Sequence, residues 1–111
     1  MILSLGGSLV VPDQIDLIFL RAFRALMLEK IDAAQFVVFV GGGKVCRRYQ
    51  EAGKDIVPIT DRHLDWIGIY ASRLNAQLLR SIFAEYAPEE IIVDPSLKMD
   101  VPTPLVFGGG W

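Results

Sequence analysis

One cysteine, Cys46, is too few for an internal disulfide, so the chain lacks the staples of a small secreted scaffold. A reducing, cytoplasmic setting is expected instead. Histidine is equally scarce: His63 has only loop carboxylates near it, and it reads as a surface residue rather than a metal ligand or a base, so no protein metal site is expected. Neither sign of charge is in excess. Eleven Lys and Arg against thirteen Asp and Glu leave a formal charge of −2, which excludes a general attraction to nucleic acid or to an anionic membrane; positive charge that matters must be local. Long apolar runs are missing as well. The uncharged stretches at residues 1–12 and 33–43 fall short of the roughly 20 residues a spanning helix needs. Met1 opens on an apolar run with no basic leader, so neither a membrane span nor a signal peptide is expected. There are no repeats, low-complexity tracts or linkers. The 111 residues, 52% of them hydrophobic, suit one globular domain that buries roughly two thirds of its unfolded surface.

What the chain does have is glycine after apolar runs. Residues 36–40, five β-branched or hydrophobic residues, read as a strand buried on both faces, and Gly41, Gly42 and Gly43 follow at once. Lys44 opens a helical pattern in which Arg47 and Arg48, three and four residues on, reach back beside it. Free amides at a helix start, a dipole and three cations would make a phosphate cradle. Two familiar cradles are absent. A Walker loop needs Ser or Thr after Gly-Lys, and Val45 stands there; the dinucleotide fingerprint needs a third glycine, and Cys46 stands there. A GGG run taken alone reads equally as a tight turn.

A second junction shifts the balance. Residues 2–5 lead into Gly6, Gly7 and Ser8, and loops at the carboxyl ends of parallel strands share the edge where ligands bind. Ser8 is either a hydroxyl donor or a turn residue. Pro12 and Asp13 read as a stop and start, and residues 15–31 carry Ile15, Ile18, Phe19, Phe23, Leu26, Met27 and Ile31 at helical spacing, with Arg21, Arg24 and Glu29 on the solvated face. The helix after Lys44 is expected to end near Gly53. Thr60 and Asp61 are helix-start signals for a long helix over residues 64–85, with Ile67, Tyr70, Ala71, Leu74, Leu78 and Ile82 inward. Asp65 falls in its first turn, where N-terminal capping is the bland explanation. Pro88 breaks that helix, residues 91–93 are a third strand candidate closed by Asp94, residues 96–104 are irregular, and residues 105–107 are a fourth strand candidate followed by Gly108, Gly109 and Gly110. Alternating strands and helices predict an α/β fold, a mostly parallel sheet in a three-layer αβα sandwich. A third strand-to-glycine junction followed only by Trp111 predicts that residues 1–111 are the N-terminal piece of a longer domain.

With GGS at Gly6 to Ser8, GGGK at Gly41 to Lys44, Arg47, and the run DWIGIYASRLNAQLL starting at Asp65, the chain resembles the amino acid kinase superfamily, and within it the uridylate kinases of archaeal type. The likeness covers essentially the whole chain but about the first half of such a kinase. The resemblance implies transfer of the ATP γ-phosphoryl group, carried with Mg²⁺, to UMP, in a cytoplasmic enzyme that self-assembles as a homo-oligomer. By the same resemblance Gly6, Gly7 and Ser8 position the transferred phosphates. Gly43, Lys44 and Arg47 bind ATP, while Gly42, Asp65, Gly108 and Gly109 bind UMP, Asp65 through the ribose hydroxyls instead of as a cap. One departure stands out: most of the superfamily has lysine where this chain has Ser4, a change shared by the archaeal-type enzymes. The alternatives are a kinase for another small phosphate such as isopentenyl phosphate, which has no use for a ribose-binding Asp65, or a non-catalytic nucleotide-binding or assembly module.

Overall fold

The computed structural model describes residues 1–94 and 103–110. Its frame is a three-stranded parallel sheet in the order β1 (Ile2–Leu5), β2 (Phe36–Val40), β3 (Leu105–Gly108). Ile2 pairs in register with Val37, and Phe36 with Leu105. β2 is central because it is apolar at every position: Phe36, Val37, Val38 and Val40 are all buried, the burial that a strand paired on both sides and covered by helices requires. Helices flank this sheet, as the α/β reading expects. They are α1 (Gly7–Val10), a single turn, then α2 (Leu17–Lys30), α3 (Gly43–Ile56) and α4 (Asp61–Ile82). Phe36, Val38 and Val40 of β2 and Leu105 and Phe107 of β3 join Leu20, Phe23 and Met27 of α2 and Ala76 and Leu79 of α4 in one core. Phe83, just past the end of α4, stacks on Phe107 and meets Phe23 edge to face, joining α4, β3 and α2 at one aromatic cluster.

Several expected boundaries move, each for a local reason. α2 starts after Asp16 and not after Pro12 and Asp13: the Asp16 carboxylate accepts the Phe19 N–H at 2.9 Å, satisfying one of the free amides of the first turn. Its buried stripe is Leu20, Phe23 and Met27, while Ile18 and Leu26 face outward. Arg24 does not simply face water, since its Nε donates to the Ile82 carbonyl at the C-terminal end of α4.

α3 runs through Gly53 to Ile56. The missing Cβ of Gly53 leaves the space that the Ile59 side chain fills, so this glycine serves close packing and not helix termination. α4 begins at Asp61 behind the Thr60 cap, whose hydroxyl accepts the His63 N–H at 3.4 Å, and stops at Ile82, before a 3₁₀ turn at Ala84–Tyr86. Of the expected inward set, α4 buries Ala71 but leaves Tyr70 and Leu74 exposed, and it buries Asn75, Ala76 and Leu79 besides. Small residues let the helix approach the sheet, and the larger ones line an apolar groove with Val45 and Tyr49 of α3.

Residues 91–93 do not form a strand. Ile92 makes a single parallel bridge to Gly108, donating to the Phe107 carbonyl at 2.8 Å and accepting from the Gly109 N–H at 3.1 Å. It meets β3 only where that strand ends, so no ladder can extend. A Cβ on Gly108 would stand 2.8 Å from the Ile92 carbonyl oxygen, which is why the last residue of β3 carries no side chain. The expected irregular segment at residues 96–104 lies mostly outside the described residues, as does Trp111.

Candidate nucleotide site at the carboxyl edge of the sheet

Parallel strands end on one edge, and here each strand ends in glycine: Gly6 after β1, Gly41 after β2, Gly109 after Gly108 of β3. The first two loops lie against each other. A Cβ added to Gly7 would overlap the Gly43 amide nitrogen and the Gly41 carbonyl, and one added to Gly43 would stand 2.6 Å from the Gly7 carbonyl carbon. Gly43 also has φ +65°, in the left-handed region, so it is doubly bound to be glycine. The third loop closes from the other side. Gly109 lies so near the Val40 and Ser72 carbonyls that a Cβ would come within 2.9 and 3.1 Å of their oxygens.

These loops wall a cavity of about 790 Å³ that Gly42, Gly43, Arg47, Asp65 and Gly109 all line. Five of the expected site residues therefore share one space. The other five do not line it. Gly7 is buried beneath the central loop and Gly108 in the sheet edge, while Gly6, Ser8 and Lys44 face solvent. The cradle of three adjacent cations is a correction. Lys44 and Arg48, one helical turn apart, both turn to Asp13: the Arg48 guanidinium bonds its carboxylate at 2.8 Å and its carbonyl at 3.1 Å, and Lys44 Nζ lies 3.9 Å from the same carboxylate. Arg47 is left for the cavity, and among the described residues no carboxylate pairs with it.

Asp65 is not a cap. Thr60 caps α4, and Asp65 stands four residues beyond Asp61, on the cavity side of the helix. Asp65 thus shares the cavity lining with Arg47, a carboxylate being a hydrogen-bond acceptor only and a guanidinium a donor suited to anions. Cys46 lines the same wall. Burial pushes its thiol above the ordinary value, and the adjacent Arg47 offsets that only in part, so the thiol is uncharged at neutral pH and adds no competing anion. Ser4 lies in the lining too, where its hydroxyl adds no charge.

Other contributors were assigned no role from the sequence, although Arg73 and Asn75 lie in the run that starts at Asp65. Gln50 lines the cavity and donates to the Leu64 carbonyl at 2.9 Å, tying α3 to the start of α4. Arg73 lies over the Tyr70 ring and donates from Nε to the Gly110 carbonyl at 3.2 Å, holding the third glycine loop where Gly110 has φ +76°. Asn75, 4% exposed, donates to the carbonyls of Gly41 at 2.9 Å and Gly42 at 3.3 Å. Only its position on a face otherwise made of Ala71, Ala76 and Leu79 betrays it, and that face is not evident before the helix is placed.

For a divalent cation the donor set does not fit. Among the described residues no group of three or more His, Cys, Asp or Glu side chains could hold one, and Asp65 is the sole carboxylate residue in the lining. Nor is any described helix long and apolar enough to cross a membrane.

No family model matches the chain. Proteins named uridylate kinase do. That of Thermococcus onnurineus is 36% identical over 93 residues, covering 84% of this chain and 41% of the relative, and that of Thermofilum pendens is 32% identical over 98% of this chain and 49% of the relative. The crystal structure of uridylate kinase from Archaeoglobus fulgidus superposes with a TM-score of 0.69 at 36% identity, over 84% of this chain and 41% of that one. The chain thus spans less than half the length of these relatives. Over most of its residues this chain is therefore similar in sequence and fold to archaeal uridylate kinases, a likeness consistent with the amino acid kinase superfamily.

Proposed function

We propose that this chain is the N-terminal, acceptor-side part of a single amino acid kinase domain, and that the full-length protein transfers the γ-phosphoryl group of ATP to UMP. An oxygen of the UMP phosphate forms the new bond to the γ-phosphorus, the bond from that phosphorus to the β–γ bridging oxygen breaks, and UDP and ADP result. The observation that carries the reading is the single cavity in which the Gly42 and Gly43 backbone, the unpaired Arg47 and the uncapping Asp65 meet.

The acceptor phosphate is already anionic near neutral pH, so the reaction needs no general base. Its obstacle is repulsion between two polyanions. Two unit charges about 4 Å apart interact by roughly 4 kcal/mol at an effective dielectric near 20, which a guanidinium and a set of fixed amides can offset. In this reading Gly43 and Arg47 serve ATP, and Gly42, Asp65 and Gly109 hold UMP. Gly6, Gly7, Ser8, Lys44 and Gly108 act from behind or beside the cavity. Gly7 and Gly108 fix the loop backbones, while Ser8 and Lys44 supply a hydroxyl and a charge close to the first two loops. Mg²⁺ would enter on the ATP phosphates, its charge neutralising theirs, and no protein step is assigned to it. A cytoplasmic homo-oligomer completes the proposal.

Acceptor choice tests it. Full-length protein given ATP with either UMP or isopentenyl phosphate should phosphorylate UMP at least a hundredfold more efficiently. Equal use of the two, or UMP binding without turnover, would overturn the assignment.

A further inference from the structure

We propose that Asn75 is a positioning residue that orients the phosphate-binding amides of the central glycine loop, an inference that rests on the nucleotide reading of the cavity. The loop has no side chains of its own, so nothing in residues 41–43 decides which way its peptide planes face. Asn75 decides it from outside. Its side-chain amide, 4% exposed on the sheet-facing side of α4, donates to two successive carbonyls, Gly41 at 2.9 Å and Gly42 at 3.3 Å.

Every described peptide is trans, and in a planar trans peptide the N–H lies antiparallel to its carbonyl. Turning the Gly41 and Gly42 carbonyls toward Asn75 therefore turns the N–H groups of Gly42 and Gly43 away from it. Among the described residues neither N–H meets a protein acceptor, and both residues line the cavity. Two oriented, unspent donors are what a phosphate oxygen requires. The same helix carries Asp65 at the cavity, so α4 sets the distance between the ribose-side carboxylate and the phosphate-side amides with one rigid element.

This role differs from plain core packing in what it protects. Packing supports the affinity of every ligand alike, whereas amide orientation matters only to the phosphate. The test is therefore the affinity of the full-length protein for UMP and for uridine, measured by calorimetry for wild type, Asn75→Ala and Asn75→Ser. Wild type should favour UMP. Asn75→Ala should weaken UMP at least tenfold while uridine changes less than threefold, and Asn75→Ser, which keeps one donor, should recover part of the loss. A uniform weakening of both ligands, or an unchanged UMP preference in Asn75→Ala, overturns the positioning role and leaves the nucleotide reading intact. A wild type that does not prefer UMP over uridine overturns both. Wild-type protein labelled with ¹⁵N-glycine gives an answer without relying on a variant to fold: the Gly42 amide resonance should move on adding UMP and stay on adding uridine, and an amide that ignores UMP overturns the proposal.

Discussion

Gly7 and Gly43 touch through bare backbone, the one opening α1 just after β1 and the other at the start of α3. Neither position has room for a methyl group, and Gly43 needs its positive φ besides. Two loops separated in sequence by a whole helix and strand are thereby locked into one surface.

Gly7→Ala should accordingly force the loops apart, destabilising the protein by about 1–3 kcal/mol as overpacking does and lowering turnover at least tenfold. Gly6→Ala is the control. A Cβ at Gly6 meets nothing within 4 Å, and its φ of −61° suits any residue, so stability should change by less than about 0.5 kcal/mol. Thermal melts and kinetics of the two variants make the comparison; equal effects would show that the contact does not shape the site.

Arg47 and Arg48 are neighbours with different tasks. Arg47 lines the cavity with no carboxylate partner among the described residues, and Arg48 is committed to Asp13 on the surface. Arg47→Ala should cost at least tenfold in turnover or nucleotide affinity, while Arg48→Ala should change either by less than threefold and stability by roughly 0–1 kcal/mol, as exposed pairs do. Steady-state kinetics on both variants would reveal a reversed ranking, which would place the phosphate on the Asp13 side of α3.

Cys46 offers a chemical readout of the cavity. Because burial raises its thiol pKa, the reactive thiolate forms only at higher pH than for a free cysteine. Iodoacetamide should modify Cys46 more slowly than it does a small-molecule thiol at pH 7, with the rate rising as pH climbs through the alkaline range, and nucleotide should slow it further. Alkylation at the free-thiol rate, or no protection by nucleotide, would show that the thiol does not line the ligand space.

Much of this was legible in the residues. The three strands that pair, and the glycine at the end of each, follow from short apolar runs meeting residues without side chains. Gly42, Gly43, Arg47, Asp65 and Gly109 were singled out before any fold was in view, and they share the cavity. The misses arise where one residue type serves two physical purposes. Gly53 reads as a helix terminator but makes room for Ile59. Asp13 reads as a helix start, but the structure commits it to Lys44 and Arg48, and Asp16, which accepts the Phe19 N–H, is the residue that caps. On α4 the hydrophobic pattern favoured Tyr70 and Leu74 along with Ala71; a helix lying close to a sheet needs small residues inward, so Ala71 is buried as expected and Ala76 with it, while Tyr70 and Leu74 are exposed. Asn75 sits in the run that carries the resemblance, but its role was hidden for a related reason. A polar residue on a buried face has meaning only once its partners, the Gly41 and Gly42 carbonyls, are known. The strand expected at residues 91–93 had suitable composition but meets β3 only at its end.

The central claim is that Asp65 and the glycine loops form one nucleotide site, and the UMP dependence of UDP formation by full-length Asp65→Asn tests it most directly. A carboxamide of the same shape loses the charge and half the acceptor capacity of the carboxylate. The account predicts a KM for UMP raised at least tenfold with the KM for ATP within twofold of wild type; an unchanged KM for UMP, or equal increases for both substrates, would contradict it.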